Sequence, residues 1–122
     1  MNPGTAVLVV EKDPMMMWEA MDLAEEAGFV VFGAANASEA LALLEAHDEI
    51  RILFTDIDIP GSMDGLRLSW AVRDRWPPVT IIVTSGIPDA NRADLPSGSH
   101  FFTKPVHPRT LIRALQSACV VG

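Results

Sequence analysis

Ile50-Arg51-Ile52-Leu53-Phe54-Thr55-Asp56-Ile57-Asp58-Ile59-Pro60-Gly61 is the stretch on which the fold turns. Its first half, Ile50 to Thr55, is apolar and β-branched apart from Arg51, as expected of a strand buried on both faces of a parallel sheet. The strand ends at Asp56. Ile57 to Gly65 then reads as a loop, with Pro60 and two glycines to break regular structure. Leu66 to Trp76 returns at helical spacing until Pro77-Pro78 stops it. The stretch is therefore one strand–loop–helix unit with a carboxylate at the carboxyl end of its strand.

The same unit recurs on either side. Ala6-Val7-Leu8-Val9-Val10 is a short buried strand, and Met16 to Ala27 follows at helical spacing, stopped by Gly28. Phe29 to Ala34 is a second strand. Asn36-Ala37-Ser38-Glu39 starts a helix whose apolar face carries Leu41, Leu43 and Leu44 before His47. Val79 to Thr84 is a fourth strand and His100 to Thr103 a short fifth. The last helix begins near His107-Pro108 and runs to about Cys119. Between them, Pro88 and Pro96 bracket Asp89 to Leu95, room for about two helical turns. Strand and helix thus alternate five times, with a short or irregular fourth helix. That alternation implies a doubly wound parallel sheet with helices on both faces.

Composition bounds the function. A chain of 122 residues with 49% hydrophobic content supports one packed domain, expected over 1–122 with no effector domain. A net charge of −7 argues against nucleic acid or an anionic membrane as partner. The single cysteine, Cys119, excludes an internal disulfide, fits a reducing compartment and reads as an inert buried thiol. The run Ala6 to Val10 is stopped by Glu11, Lys12 and Asp13, too short for a signal peptide core or a membrane span. A cytoplasmic protein is the expectation.

Ligands of open parallel sheets bind beyond the carboxyl ends of the strands. Those ends carry Glu11, Lys12 and Asp13 after the first strand, Asp56 after the third, Thr84 after the fourth and Lys104 after the fifth. Carboxylates, a hydroxyl and an amine on one rim suit phosphoryl transfer: a carboxylate as nucleophile, Mg²⁺ as bridge, a lysine to neutralise charge.

Four segments, in order, resemble the response-regulator receiver family. They are Val9-Val10-Glu11-Lys12-Asp13-Pro14; Leu53 to Gly61 with Asp64-Gly65; Ile82-Val83-Thr84-Ser85-Gly86; and Phe101-Phe102-Thr103-Lys104-Pro105. The resemblance covers nearly the whole chain and implies a flavodoxin-like (βα)5 fold with strand order 2-1-3-4-5. By it, Asp56 is the phosphoacceptor, while Thr84 and Lys104 contact the phosphoryl group. Glu11, Asp56 and the backbone carbonyl of Asp58 hold Mg²⁺, Phe101 is a switch aromatic partnered with Thr84, and the Lys104–Pro105 bond is cis. The partners implied are a histidine kinase or histidine phosphotransfer protein and a downstream protein target; a homodimer stays open.

Three departures accompany the resemblance. Lys12 stands where the family usually has a second acid in contact with Mg²⁺, and Mg²⁺ is commonly held by one or two carboxylates. An ammonium about 4 Å from a unit charge interacts by roughly 4 kcal/mol at an effective dielectric of about 20. Either Lys12 replaces part of the metal's charge, or Asp13 turns inward and restores an acid. The other departures are the degraded fourth helix and Ser62, which lengthens the Pro60–Asp64 loop.

Plainer readings exist for each residue. Glu11 and Asp13 could cap the first helix, Lys12 could point to solvent, and Phe101 could be a core aromatic. Met15-Met16-Met17 reads as core filler. His47, His100 and His107 lack metal-ligand spacing. Two other functions compete: a pseudo-receiver that binds partners without phosphate, and a phosphatase. Asp56-Ile57-Asp58 resembles the nucleophile motif of haloacid dehalogenase-like hydrolases, but follows the third strand rather than the first.

Overall fold

The computed structural model describes residues 4–86 and 94–121. The order is β1 (Ala6–Val10), α1 (Pro14–Glu26), β2 (Val30–Ala34), α2 (Ala37–Ala46), β3 (Ile50–Asp56), α3 (Gly65–Arg75), β4 (Thr80–Ser85), β5 (His100–Thr103) and α4 (Pro108–Val121). All four strand pairings are parallel and the sheet runs β2-β1-β3-β4-β5, the flavodoxin-like order expected. The expected irregular helix between β4 and β5 falls mainly on residues 87–93, outside the described residues.

Alternation along each strand divides the core into two layers. Leu8, Val10, Leu53, Ile81 and Val83 face α2 and α3, meeting Ala40, Leu44, Leu68 and Val72. Val7, Val9, Ile52 and Ile82 face the other way, meeting Ala24 of α1 and Leu111, Leu115 and Ala118 of α4. Because β1, β3 and β4 are covered on both sides, they carry almost no exposed residue.

Helix starts are set by caps. Asp13 Oδ1 accepts the backbone N–H groups of Met15 and Met16, and Pro14 opens α1, two residues earlier than periodicity alone indicates. Asn36 Oδ1 accepts from the N–H of Glu39, whose carboxylate accepts in return from the N–H of Ala35. Asp64 caps α3 through the N–H of Arg67. Each cap lies on the same rim as the strand ends.

The Met15-Met16-Met17 expectation needs correction. Met15 is 64% exposed and Met16 37%, and only Met17 packs into a core layer. Consecutive helical residues point about 100° apart, so three in a row cannot share one buried face. The side chain of Cys119 lies outside the described residues.

Candidate functional site

Asp56 closes β3, and the register sets it directly opposite Thr84 of β4. Both are buried, at 5% and 2% exposure. The backbone knits the two strand ends, since the N–H of Ile57 donates to the carbonyl of Thr84 at 2.9 Å. Glu11 follows β1 and is also buried. Lys104 follows β5, its N–H donates to the Ser85 carbonyl at 2.8 Å, and its peptide bond to Pro105 is cis. From there Lys104 Nζ donates to Asp56 Oδ2 and to Glu11 Oε1, both at 2.9 Å. One ammonium therefore ties together three strand ends.

Burial works against the charge of Lys104, yet the hydrogen bonds to Glu11 and Asp56, and their negative charges, outweigh it and hold the amine above the ordinary lysine pKa. The second oxygens are less strongly engaged. Glu11 Oε2 accepts the Asp13 N–H at 3.1 Å, and Asp56 Oδ1 accepts the Asp58 N–H at 3.3 Å. Glu11, Asp56, Thr84 and Lys104 line a cavity of about 130 Å³ whose apolar wall includes Val9, Phe54 and Leu111. A larger groove of about 560 Å³, between the start of α2 and the Pro60–Met63 loop, is lined by no charged residue.

The remaining sequence candidates lie as follows. Lys12 pairs with the Asp58 carboxylate in an ion pair at the rim, with both side chains substantially exposed. The hydrogen bond to Asp58 raises the Lys12 pKa above the usual value, and the charges of Asp58, Asp56 and Glu11 add to that. The same hydrogen bond holds Asp58 below the usual carboxylate range. Asp13 is not brought into the cluster, because its carboxylate caps α1. Phe101 is half-buried against the α2–α3 layer.

Gly65 was missed as a site residue, although Asp64-Gly65 lay in the quoted motif. A Cβ there would sit 2.2 Å from the Asp56 carbonyl oxygen and 2.7 Å from Ile57 Cα, both backbone atoms. Its own N–H donates to the Ile57 carbonyl at 2.8 Å. A glycine thus lets α3 begin directly against the strand end carrying Asp56. The sequence signal was an Asp-Gly pair, which reads equally as a turn.

The model of the response regulator receiver domain matches residues 7–116. The chain belongs to this family. It is 34% identical over 119 residues to an uncharacterized 14.6 kDa protein from the sodA1 3′ region of Leptolyngbya boryana, covering 93% of this chain and 89% of that one. It is 32% identical over 121 residues to the C4-dicarboxylate transport transcriptional regulatory protein DctD of Rhizobium meliloti (strain 1021). That match covers 97% of this chain but spans only 26% of DctD. Among solved structures, the signal receiver domain of an HD domain-containing protein from Pseudomonas fluorescens Pf-5 superposes with a TM-score of 0.88. The two are 23% identical, over 97% of this chain and 96% of that one, a likeness of fold.

The chain is thus a receiver domain of the two-component response-regulator type, and receiver domains are generally signalling modules rather than classical enzymes. Receiver domains generally take Mg²⁺ in the acidic pocket, and the donor chemistry here fits it. The buried Glu11 and Asp56 carboxylates converge on one cationic atom, Lys104 Nζ, at equal distance. Among the described residues no three acidic or imidazole side chains converge. The protein would supply two carboxylates and a carbonyl, within what Mg²⁺ accepts when water and phosphate complete its shell.

Proposed function

We propose that this receiver accepts a phosphoryl group on Asp56 from a histidine kinase or histidine phosphotransfer protein, and signals by contact with a downstream protein. The observation that carries this reading is the Lys104 ammonium, held 2.9 Å from one oxygen of the buried Asp56 carboxylate. That contact keeps a counter-charge at the reacting group, while the other oxygen has only a long backbone contact.

In the proposed step, an Asp56 oxygen attacks phosphorus in line with the leaving nitrogen of the partner's phosphohistidine. The P–N bond breaks, and the departing imidazole takes a proton from solvent. Lys104 neutralises charge on the phosphoryl oxygens, and the Thr84 hydroxyl, one strand over, donates a hydrogen bond to them. Glu11, Asp56 and the Asp58 carbonyl would hold Mg²⁺, which when bound supplies further neutralisation of the phosphoryl oxygens. The partner must bring its histidine to the rim, where Met15 and Trp18 of α1 are exposed apolar residues available for contact. Among the described residues no helix is long and apolar enough to cross a membrane.

The test is intact mass after incubation with acetyl phosphate or an active kinase. The expected result is a gain of one phosphoryl group in the wild type and none in Asp56→Asn. A folded protein that gains nothing with a kinase of demonstrated activity would instead be a pseudo-receiver.

A further inference from the structure

Lys12 is the one feature of the rim that the phosphoacceptor reading leaves without a task. Its ammonium pairs with Asp58, two residues beyond the reacting carboxylate, and the charges of Asp56 and Glu11 reach it as well. Glu11, Asp56 and Asp58 against Lys12 and Lys104 leave the cluster at a formal −1. Lys104 is enclosed between two buried carboxylates, whereas Lys12 and Asp58 are 48% and 79% exposed. An exposed ion pair is loosely held, so the Lys12 side chain is free to exchange Asp58 for a more highly charged anion nearby.

We propose that Lys12 is a built-in cation of the phosphoacceptor site, opposing divalent binding at Glu11 and Asp56 and partly replacing the divalent ion when the phosphoryl group arrives. The inference rests on the phosphoacceptor reading of Asp56. Phosphorylation exchanges one carboxylate charge for the two of a phosphoryl group, and a mobile ammonium at the rim meets that added charge. Replacing Lys12 by aspartate would shift the site by two charge units, the charge of one Mg²⁺ ion. The lysine therefore stands in, by formal charge, for a metal ion that an aspartate would require.

The step remains balanced without metal. The Asp56 carboxylate attacks the phosphorus of acetyl phosphate, the bond from phosphorus to the acetate oxygen breaks, and acetate leaves with the electron pair.

The experiment has two readouts. Mg²⁺ is titrated into wild type, Lys12→Asp and Lys12→Gln, following amide shifts of the Glu11 and Asp56 segments by NMR, with folding checked on the same spectra. Lys12→Asp is expected to bind Mg²⁺ at least about tenfold more tightly than wild type, with Lys12→Gln between them. Lys12→Gln keeps the test decisive if the aspartate variant does not fold. Intact mass then follows acetyl phosphate with Mg²⁺ or with a chelator. Wild type is expected to gain a phosphoryl group in both media, and the substituted proteins chiefly with Mg²⁺.

Equal Mg²⁺ affinities across the series would overturn the inference. So would a wild-type mass gain that vanishes in chelator, although Asp56 would stand as acceptor. No wild-type gain in either medium would overturn the acceptor reading, and this inference with it.

Discussion

Replacing Lys104 by methionine would leave Glu11 and Asp56 buried beside one another without their shared counter-ion. The remaining carboxylates are 8% and 6% exposed at the side chain, so water replaces the lost ammonium poorly. Removing one partner of a buried ion pair costs on the order of 3 kcal/mol, because the charge left behind is uncompensated. Lys104→Met is therefore expected to lose about 2–4 kcal/mol at neutral pH by urea unfolding. The deficit should shrink in an Asp56→Asn background, where one of the two carboxylates has been removed and the repulsion is relieved. An equal loss in both backgrounds would mean that lost packing of the lysine stem, not charge, is responsible.

At the scale of the element, β3 and α3 act as one unit joined at the strand end. The Asp64 cap fixes where α3 starts, and Gly65 allows its first turn to touch the backbone of Asp56 and Ile57. A methyl group at Gly65 would meet backbone atoms that have no flexible side chain to move aside. Gly65→Ala is expected to destabilise the fold by about 3 kcal/mol or more, or else to shift Asp56 from Lys104. Thermal unfolding measures the first outcome, and a fall in acetyl phosphate transfer by the folded fraction measures the second. Gly61, with φ 105 and open space around its Cβ position, sits in the same loop without such a contact. An alanine there strains only the backbone, so Gly65→Ala should be the more damaging of the two.

At the scale of the molecule, Lys104 ties the segment after β5 to β1 and β3, so its charge state is linked to global stability. Its folded pKa lies above the ordinary lysine value of 10.5. A raised pKa gives stability that is fully present below the unfolded value and is lost as pH rises through the folded one. Wild type is therefore expected to lose melting temperature above about pH 10.5 more steeply than Lys104→Met, which has already forfeited this contribution. Parallel curves for the two proteins would disprove the linkage. Asp58 has the opposite sign: its pKa is lowered by Lys12, so its contribution is present above 3.8 and lost as pH falls below that.

The five strands, the buried character of β1, β3 and β4, and the candidate residues at the carboxyl ends were legible in the sequence. Runs such as Ala6–Val10 end abruptly in charge, and that boundary is a local property of the chain. Parallel pairing followed from alternation with helices, because parallel strands need a crossover. The start of α1 was read two residues late, because a cap and not apolar spacing sets its first residue, whereas the Asn36 cap of α2 was legible.

What the sequence could not decide was the direction of each side chain on the rim. Asp13 and Lys12 are neighbours with two open fates each, and tertiary structure separated them: Asp13 turned to the free N–H groups of α1, Lys12 to Asp58 across the rim. Likewise, the sharing of Lys104 between Glu11 and Asp56 joins residues 93 and 48 positions apart. The closeness of Gly65 to the Asp56 carbonyl depends on where α3 docks. Periodicity and boundaries are written locally because they follow from helix and strand geometry, whereas a charge chooses its partner only after strand ends distant in the chain have been brought side by side.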